Sequence, residues 1–229
     1  ISMDEDPLKA VRSKKEASIN GCMQLLKEKK VEAVFSAGST GATLISAITI
    51  LGKQRGVIRP AIASVLPTIE RSVILLDSGA SLDVKPKVLY QFAVMGSKLA
   101  EALFDIESPK IGLLNNGEEE SKGRELEKSA FKLLNSSSLN FVGNVEGRDF
   151  ATNKVDVFVT DGFTGNVVLK TLEGTAKLQQ NLISASLKQN LFKPLLPSVK
   201  KALKPVKDQL NPDKTNASYL LGVDGLVTI

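Results

Sequence analysis

The sequence predicts an α/β fold built on a doubly wound, mostly parallel sheet with helices on both faces, and two observations carry that expectation. Apolar strand-like runs alternate with stretches of helical period, and four of the runs end in turns rich in Gly, Ser, Asn or Asp that lead into a helical stretch. The runs are Val31–Phe35 before Ser36-Ala37-Gly38-Ser39-Thr40-Gly41, Val73–Leu76 before Asp77-Ser78-Gly79-Ala80, Ile111–Leu114 before Asn115-Asn116-Gly117, and Val155–Val159 before Thr160-Asp161-Gly162-Phe163-Thr164-Gly165-Asn166. In an open α/β sheet such turns gather at the carboxyl edge of the strands, where helix N-termini and bare backbone N–H groups receive anions. The expectation is a phosphate-handling cleft along one edge.

The elements follow in order. Residues 7–30 read as one helix with Pro7 near its start, and Ala42–Leu51 as a helix closed by Gly52. Pro60–Leu66 and Val73–Leu76 read as short strands, and Val88–Phe104 as a long helix. After the Ile111 strand come a charged helix over Glu118–Leu134, a short strand over Asn140–Gly143 with Asn144 and Glu146 at its end, and a helix from Val167 onward. Alternating strands and helices of this kind argue a sheet covered on both faces. Between Gly174 and Lys207 there are seven lysines and no Asp or Glu, with Leu187, Leu191, Phe192, Leu195 and Leu196 grouped near Pro194 and Pro197. This is a basic helical hairpin bent at its prolines: a solvated helix pair, a membrane-surface element or a docking face for an acidic protein.

A chain of 229 residues, 42% hydrophobic, can bury one sizeable core, so residues 1–229 are expected to form a single domain. The single Cys22 excludes an internal disulfide and a thiolate metal site, which makes a reducing cytoplasm the natural compartment. The absence of His removes imidazole catalysis, Ser-His-Asp triads and histidine metal ligands. The net charge of +5 comes with only 5% aromatic residues, which excludes a nucleic-acid stacking platform. No apolar run approaches the roughly 20 residues that span a bilayer.

Three motifs can carry chemistry. In Ser36–Gly41, glycines let backbone N–H groups approach an anion while Ser39 and Thr40 add hydroxyls; a plain helix N-cap accounts for the same residues. The spacing is not that of a P-loop, and no dinucleotide fingerprint occurs, so no cofactor is expected. Asp161–Asn166 follows a β-branched strand and sets Asn166 at a helix N-terminus facing the cleft, or serves only as an Asx cap. Asn115–Gly123 places Lys122 beyond a strand end beside three acids, either as a solvated charge run or as an ammonium that holds phosphate or neutralises an oxyanion. Asp77 and Asp161 could alternatively ligate a metal, although no metal site is expected.

These motifs stand in one order with others. Arg59-Pro60-Ala61, Asp77-x-Gly79-Ala80, Met95-Gly96-Ser97, Gly112-Leu113-Leu114-Asn115-x-Gly117-x-Glu119, Lys122-Gly123, Asn140 through Glu146, and Asp161-Gly162-Phe163-Thr164-Gly165-Asn166-Val167-x-Leu169-Lys170-Thr171-x-Glu173-Gly174 together resemble the PlsX family of phosphate acyltransferases in bacterial phospholipid synthesis. The resemblance runs through nearly the whole chain.

The resemblance implies an enzyme that moves a long acyl group from acyl carrier protein to inorganic phosphate, giving acyl phosphate. It implies a three-layer fold similar to isocitrate and isopropylmalate dehydrogenases and to phosphotransacetylase. It further implies a homodimer with its site near the subunit interface, and peripheral contact with an anionic membrane through a hairpin at residues 183–210 carrying Leu187, Leu191, Phe192, Leu195 and Leu196. Carried over residue by residue, Lys122 and Asn166 are the expected catalytic pair, and Ser36, Gly38, Ser39, Thr40 and Gly41 line the phosphate or pantetheine side. Asp77, Gly79, Asn115, Asn144, Glu146, Asp161, Gly162 and Gly165 complete the expected binding set.

Ser39 stands where the family usually has Asn. The family's opening Asp-Ala-Met-Gly-Gly-Asp turn, its His-Gly and a Tyr-Gly-Gly between Asn216 and Ala217 are absent, and with the closing apolar run Leu226–Ile229 they suggest a piece of a longer protein. The competing readings are a phosphotransacetylase-like enzyme using coenzyme A and a non-catalytic membrane or carrier-protein docking subunit. Phosphate is already an anionic nucleophile near neutral pH, so the missing His is no obstacle to attack on a thioester. The expected roles are phosphate or oxyanion neutralisation by Lys122, and hydrogen bonding by Asn166 with the backbone N–H groups of residues 162–166.

Overall fold

The computed structural model describes residues 1–68, 70–189, 198, 201, 202, 204 and 218–229. Its described elements are α1 (Pro7–Ser13), α2 (Ser18–Lys27), β1 (Ala33–Phe35), α3 (Thr40–Ile50), β2 (Ala61–Leu66), β3 (Val73–Leu76), α4 (Pro86–Phe104), β4 (Ile111–Leu114), α5 (Glu125–Asn135), β5 (Phe141–Val145), a 3-10 turn (Gly147–Ala151), β6 (Val157–Val159), α6 (Gly162–Gln189), β7 (Ser218–Leu221) and β8 (Leu226–Thr228). The eight strands form one mixed sheet in the order β1-β8-β7-β2-β3-β6-β4-β5, and most pairings are parallel.

Three layers result from the alternation of side chains along the strands. Ala61, Ala63, Ile74, Leu76, Ile111, Leu113, Val157 and Val159 point to one face and pack under α4 and α5. On the opposite face Ile62, Leu220 and Val227 pack under α2 and α3, while Leu66, Val73, Leu75 and Phe158 pack under α6. Helix α4 illustrates the local logic. Pro86 starts it, Val88, Leu89, Phe92, Ala93, Gly96, Ser97 and Ala100 make its buried stripe at helical spacing, and Asp105 ends it in the left-handed region at φ 55°. Phe92 is fully buried, so its truncation to Ala would cost about 3–5 kcal/mol.

Several boundaries differ from the sequence expectation. The helix expected over 7–30 is two helices, broken between Ser13 and Ser18. The charged helix starts at Glu125 rather than Glu118, because residues 118–124 turn back to satisfy the strand ends around them. The last helix starts at Gly162, ahead of Val167, and the closing apolar run is strand β8.

The expectation that all four turns share one sheet edge is corrected. Strand β1 runs parallel to β8, but the β8–β7, β7–β2 and β2–β3 pairings are each antiparallel. An odd number of reversals makes β1 oppose β3, and β3, β6, β4 and β5 are parallel to one another. The turns after β3, β4, β5 and β6 therefore share one edge, and the Ser36–Gly41 turn leaves the other.

The expected hairpin at 183–210 falls largely outside the described residues, as do Leu191, Phe192, Leu195 and Leu196; Leu187 lies within the last turns of α6. Among the described residues no helix is long and apolar enough to cross a membrane.

Candidate functional site

Asp77 closes β3 with its carboxylate fully buried. Its Oδ1 accepts backbone N–H bonds from Ile62 (3.0 Å), Gly79 (3.1 Å) and Ala80 (2.9 Å), and Oδ2 accepts one from Ser81 (2.7 Å). Burial pushes this carboxyl above the usual range, against the pull of those four donors. Asp77 was expected to contact substrate; with both oxygens spent on main-chain donors, it instead shapes the turn that carries Gly79. Gly79 (φ +145°) borders Asn166, whose Cβ and Cγ would lie 3.7 Å from a Cβ at position 79.

The N-terminus of α6 is built against this turn. Asp161, 2% exposed, caps it by accepting from the Thr164 N–H (2.8 Å) and hydroxyl (3.0 Å). Gly162 donates its N–H to Ser81 O (2.9 Å), and a Cβ there would fall 2.7 Å from Asp77 Oδ2. The Gly165 N–H donates to Asp161 O (2.9 Å). The backbone donors of Gly162, Thr164 and Gly165 are thus engaged within the fold rather than offered to an oxyanion. Asn166 itself is exposed at this edge.

The loop after β4 carries Lys122. Asn115 Nδ2 donates to Lys122 O (3.2 Å), and Asn144 Nδ2, from the end of β5, donates to Glu119 O (2.8 Å). Gly123 has φ +89°, and a Cβ there would meet Asn115 Oδ1 at 2.7 Å and Glu127 Cβ at 2.8 Å, so only glycine fits. Asn144 is 3% exposed, and its Oδ1 has no partner among the described residues. Lys122 is exposed. Glu118 pairs with Lys154 (2.9 Å), and Glu146 with Arg148 (2.7 Å).

One guanidinium joins the β4 loop to α6. Arg124 Nη2 donates to Asp161 Oδ2 (2.5 Å) and to Glu127 Oε1, while Nε donates to Glu127 Oε1 (3.0 Å). Glu127 also accepts the Arg124 backbone N–H (2.7 Å), which closes the first turn of α5. The Glu127 and Asp161 carboxylates hold the Arg124 guanidinium above its ordinary value. Burial raises the Glu127 carboxyl, but hydrogen bonds from Arg124 and the backbone outweigh it and leave Glu127 below its ordinary value. Beside the bridge opens a cavity of about 530 Å³ lined by Leu114, Asn115, Gly123, Arg124, Thr164 and Val168, among others.

The Ser36–Gly41 turn lies apart from this cluster. Ser39 caps α3 by accepting the Ala42 N–H (3.4 Å), and Ser36 Oγ bonds Thr43 Oγ1 (2.8 Å). The Ser36 N–H donates to Thr228 O (3.0 Å). Between the apolar cluster under α3 and the one under α6, a strip of hydroxyls crosses the same sheet face: Ser218 Oγ to Ser64 Oγ (3.0 Å) and Ser64 Oγ to Ser78 Oγ (2.7 Å). Ser78 adjoins Asp77, so the strip leads from the neighbourhood of the first turn toward the second.

With this geometry in place, the chain matches over residues 1–229 the family model described as "Fatty acid synthesis protein". The chain belongs to that family. Relatives of the fatty acid synthesis family include proteins named phosphate acyltransferase from Elusimicrobium minutum, 46% identical over 237 residues (100% of this chain, 67% of that one), and from Dictyoglomus turgidum, 45% identical over 232 residues (100% and 69%). The chain therefore spans about two thirds of the length of these relatives. Its fold is similar to that of a branched-chain phosphotransacylase from Enterococcus faecalis V583 (TM-score 0.62, 15% identity, covering 94% of this chain and 72% of that one). It is also similar to a phosphotransacetylase from Staphylococcus aureus (TM-score 0.55, 19% identity, 69% and 56%). The three-layer α/β fold of this fatty acid synthesis protein is thus shared with phosphotransacylases.

Within this family member, Lys122 and Asn166 sit on neighbouring turns of one sheet edge, alongside Gly79, Asn115, Asn144, Glu146, Asp161, Gly162 and Gly165. Sequence reasoning missed Arg124 and Glu127, which couple those turns. The available signal was an Arg immediately after Lys122-Gly123 with a Glu three residues on, at a helix start.

Proposed function

We propose that this chain transfers a long-chain acyl group from the thioester of acyl carrier protein to inorganic phosphate, supplying acyl phosphate for phospholipid synthesis. The observation that carries the reading is the junction of the Lys122-Gly123 turn and the Asn166 turn at one sheet edge beside a cavity. The names of relatives 46% and 45% identical support the phosphate acyltransferase chemistry.

In the proposed step a phosphate oxygen attacks the thioester carbonyl carbon, and an acyl–oxygen bond forms as the carbonyl becomes a tetrahedral oxyanion. The oxyanion collapses, the carbon–sulfur bond breaks, and the thiolate leaves and takes a proton from solvent. Lys122 offsets the charge of phosphate and oxyanion, and the Asn166 amide donates a hydrogen bond to the oxyanion. Asp77 and Asp161 act beneath the surface by fixing the turns. The Ser36–Gly41 turn, at the opposite edge of the sheet, is assigned to the pantetheine side.

The two opposed strand sets within one sheet support an isocitrate and isopropylmalate dehydrogenase-like classification and the reading of residues 1–229 as one domain. A homodimer is supported by α6, which leaves Phe163, Val167, Leu178 and Leu182 exposed at helical spacing. Peripheral attachment from the cytoplasmic side is supported by the lysine- and leucine-rich composition of residues 183–210; replacing Leu191 and Leu195 by Glu should abolish binding to anionic vesicles while soluble turnover persists.

The test of the reaction supplies the complete protein with phosphate and either long-chain acyl carrier protein or acyl coenzyme A, and traps acyl phosphate with hydroxylamine. Product from the carrier-protein donor supports the proposal. Product from coenzyme A alone would favour a phosphotransacetylase-like enzyme, and vesicle binding with no product from either donor a docking subunit.

A further inference from the structure

We propose that Arg124 is a positioning residue for the transfer, a clamp that sets Lys122 and Asn166 at their working separation; this rests on the acyl-transfer reading above. Lys122 lies in the loop after β4 and Asn166 in the first turns of α6, which follows β6, and among the described residues neither side chain takes part in a hydrogen bond or ion pair. The β4 loop is held to its own surroundings by Asn115 and Asn144, which bind Lys122 O and Glu119 O. The α6 N-terminus is held to the β3 turn through the Gly162 N–H to Ser81 O bond. Among the described residues, the side-chain bridge between these two assemblies is Arg124, two residues from Lys122, reaching Asp161, the cap of the helix that bears Asn166.

The choice of an arginine follows from what must be bridged. A single planar fork gives Nε and Nη2 to Glu127 and Nη2 to Asp161, so two buried carboxylates from different elements share one cation. A lysine carries the charge but not the fork, and could not hold both in one geometry. The two carboxylates also outweigh the guanidinium, so the cluster as a whole is negative and a poor receptor for phosphate. Phosphate then belongs on the Lys122 side, and Arg124 acts through alignment rather than by touching the anion.

The test uses the complete protein, after the parent has been shown to form acyl phosphate; failure at that earlier point would sink the acyl-transfer reading rather than the clamp. Arg124→Lys and Arg124→Gln should each lower kcat by about tenfold to a hundredfold while the KM values for phosphate and for the thioester donor stay within about threefold of the parent's. Combining Arg124→Lys with Asn166→Ala should lose less than the product of the two single losses, as residues acting as a unit do. Arg124→Lys keeps a cation beside the two carboxylates and is expected to stay folded under assay conditions with a modestly lowered melting point, and activity per folded molecule separates misalignment from unfolding. Near-parental kcat in both folded variants, a raised phosphate KM with unchanged kcat, strictly multiplicative losses, or failure of both variants to fold would each overturn the clamp.

Discussion

Gly165 packs against the main chain of Asp77 so closely that a Cβ at position 165 would lie 1.9 Å from the Asp77 carbonyl oxygen. The contact presses the first turn of α6 onto the turn after β3, which brings Asn166 beside Gly79. A methyl group cannot be accommodated by a side-chain shift, because the obstacle is backbone. Gly165→Ala should therefore destabilise the fold by about 3 kcal/mol, at the upper end of overpacking costs, and lower turnover more than the loss of folded protein explains. Denaturant unfolding beside specific activity per folded molecule checks both parts.

Lys122 and Asn166 are the proposed catalytic pair. Lys122→Met and Asn166→Ala should each lower turnover at least about a hundredfold, the scale of losing one oxyanion donor, with little change in stability because both side chains are exposed. Normal turnover by a folded Lys122→Met variant would remove Lys122 from the mechanism.

Asp77 is the structural counterpart. Asp77→Ala leaves the N–H groups of Ile62, Gly79, Ala80 and Ser81 without their acceptor, and should cost at least about 3 kcal/mol. A variant that melts with the parent would show that the turn holds without the carboxylate.

Glu127 links the site to pH. Its carboxyl sits below the ordinary 4.5 in the folded protein, so the folded state binds fewer protons than the unfolded chain in the window beneath that value. Its contribution is complete above pH 4.5 and is lost as the pH falls through the depressed folded value. Glu127→Gln should flatten the acid limb of the stability curve, and an unchanged slope in urea titrations across that window would refute the linkage.

The sheet and its turns were legible because β-branched and leucine runs ending in Asp, Asn and Gly announce strand ends, and the segments that carry Lys122 and Asn166 stand out through the motifs around them. The direction of β1 was not legible. It depends on three antiparallel pairings among β8, β7, β2 and β3, long-range partners that no local pattern specifies. The start of α5 was misplaced because Glu118–Gly123 has helical composition, yet side chains from Asn115 and Asn144 bind its carbonyls and hold it as a loop. Arg124 and Glu127 read as an ordinary charged pair at a helix start, since the third partner, Asp161, is distant in sequence.

The most direct test of the central claim incubates the complete protein with ¹⁸O-labelled inorganic phosphate and long-chain acyl carrier protein and weighs the acyl product by mass spectrometry. Direct attack by phosphate predicts acyl phosphate that retains every phosphate label, formed in step with free carrier protein and lost in the Lys122→Met variant. Free fatty acid in place of acyl phosphate, or undiminished product from that variant, would contradict the account.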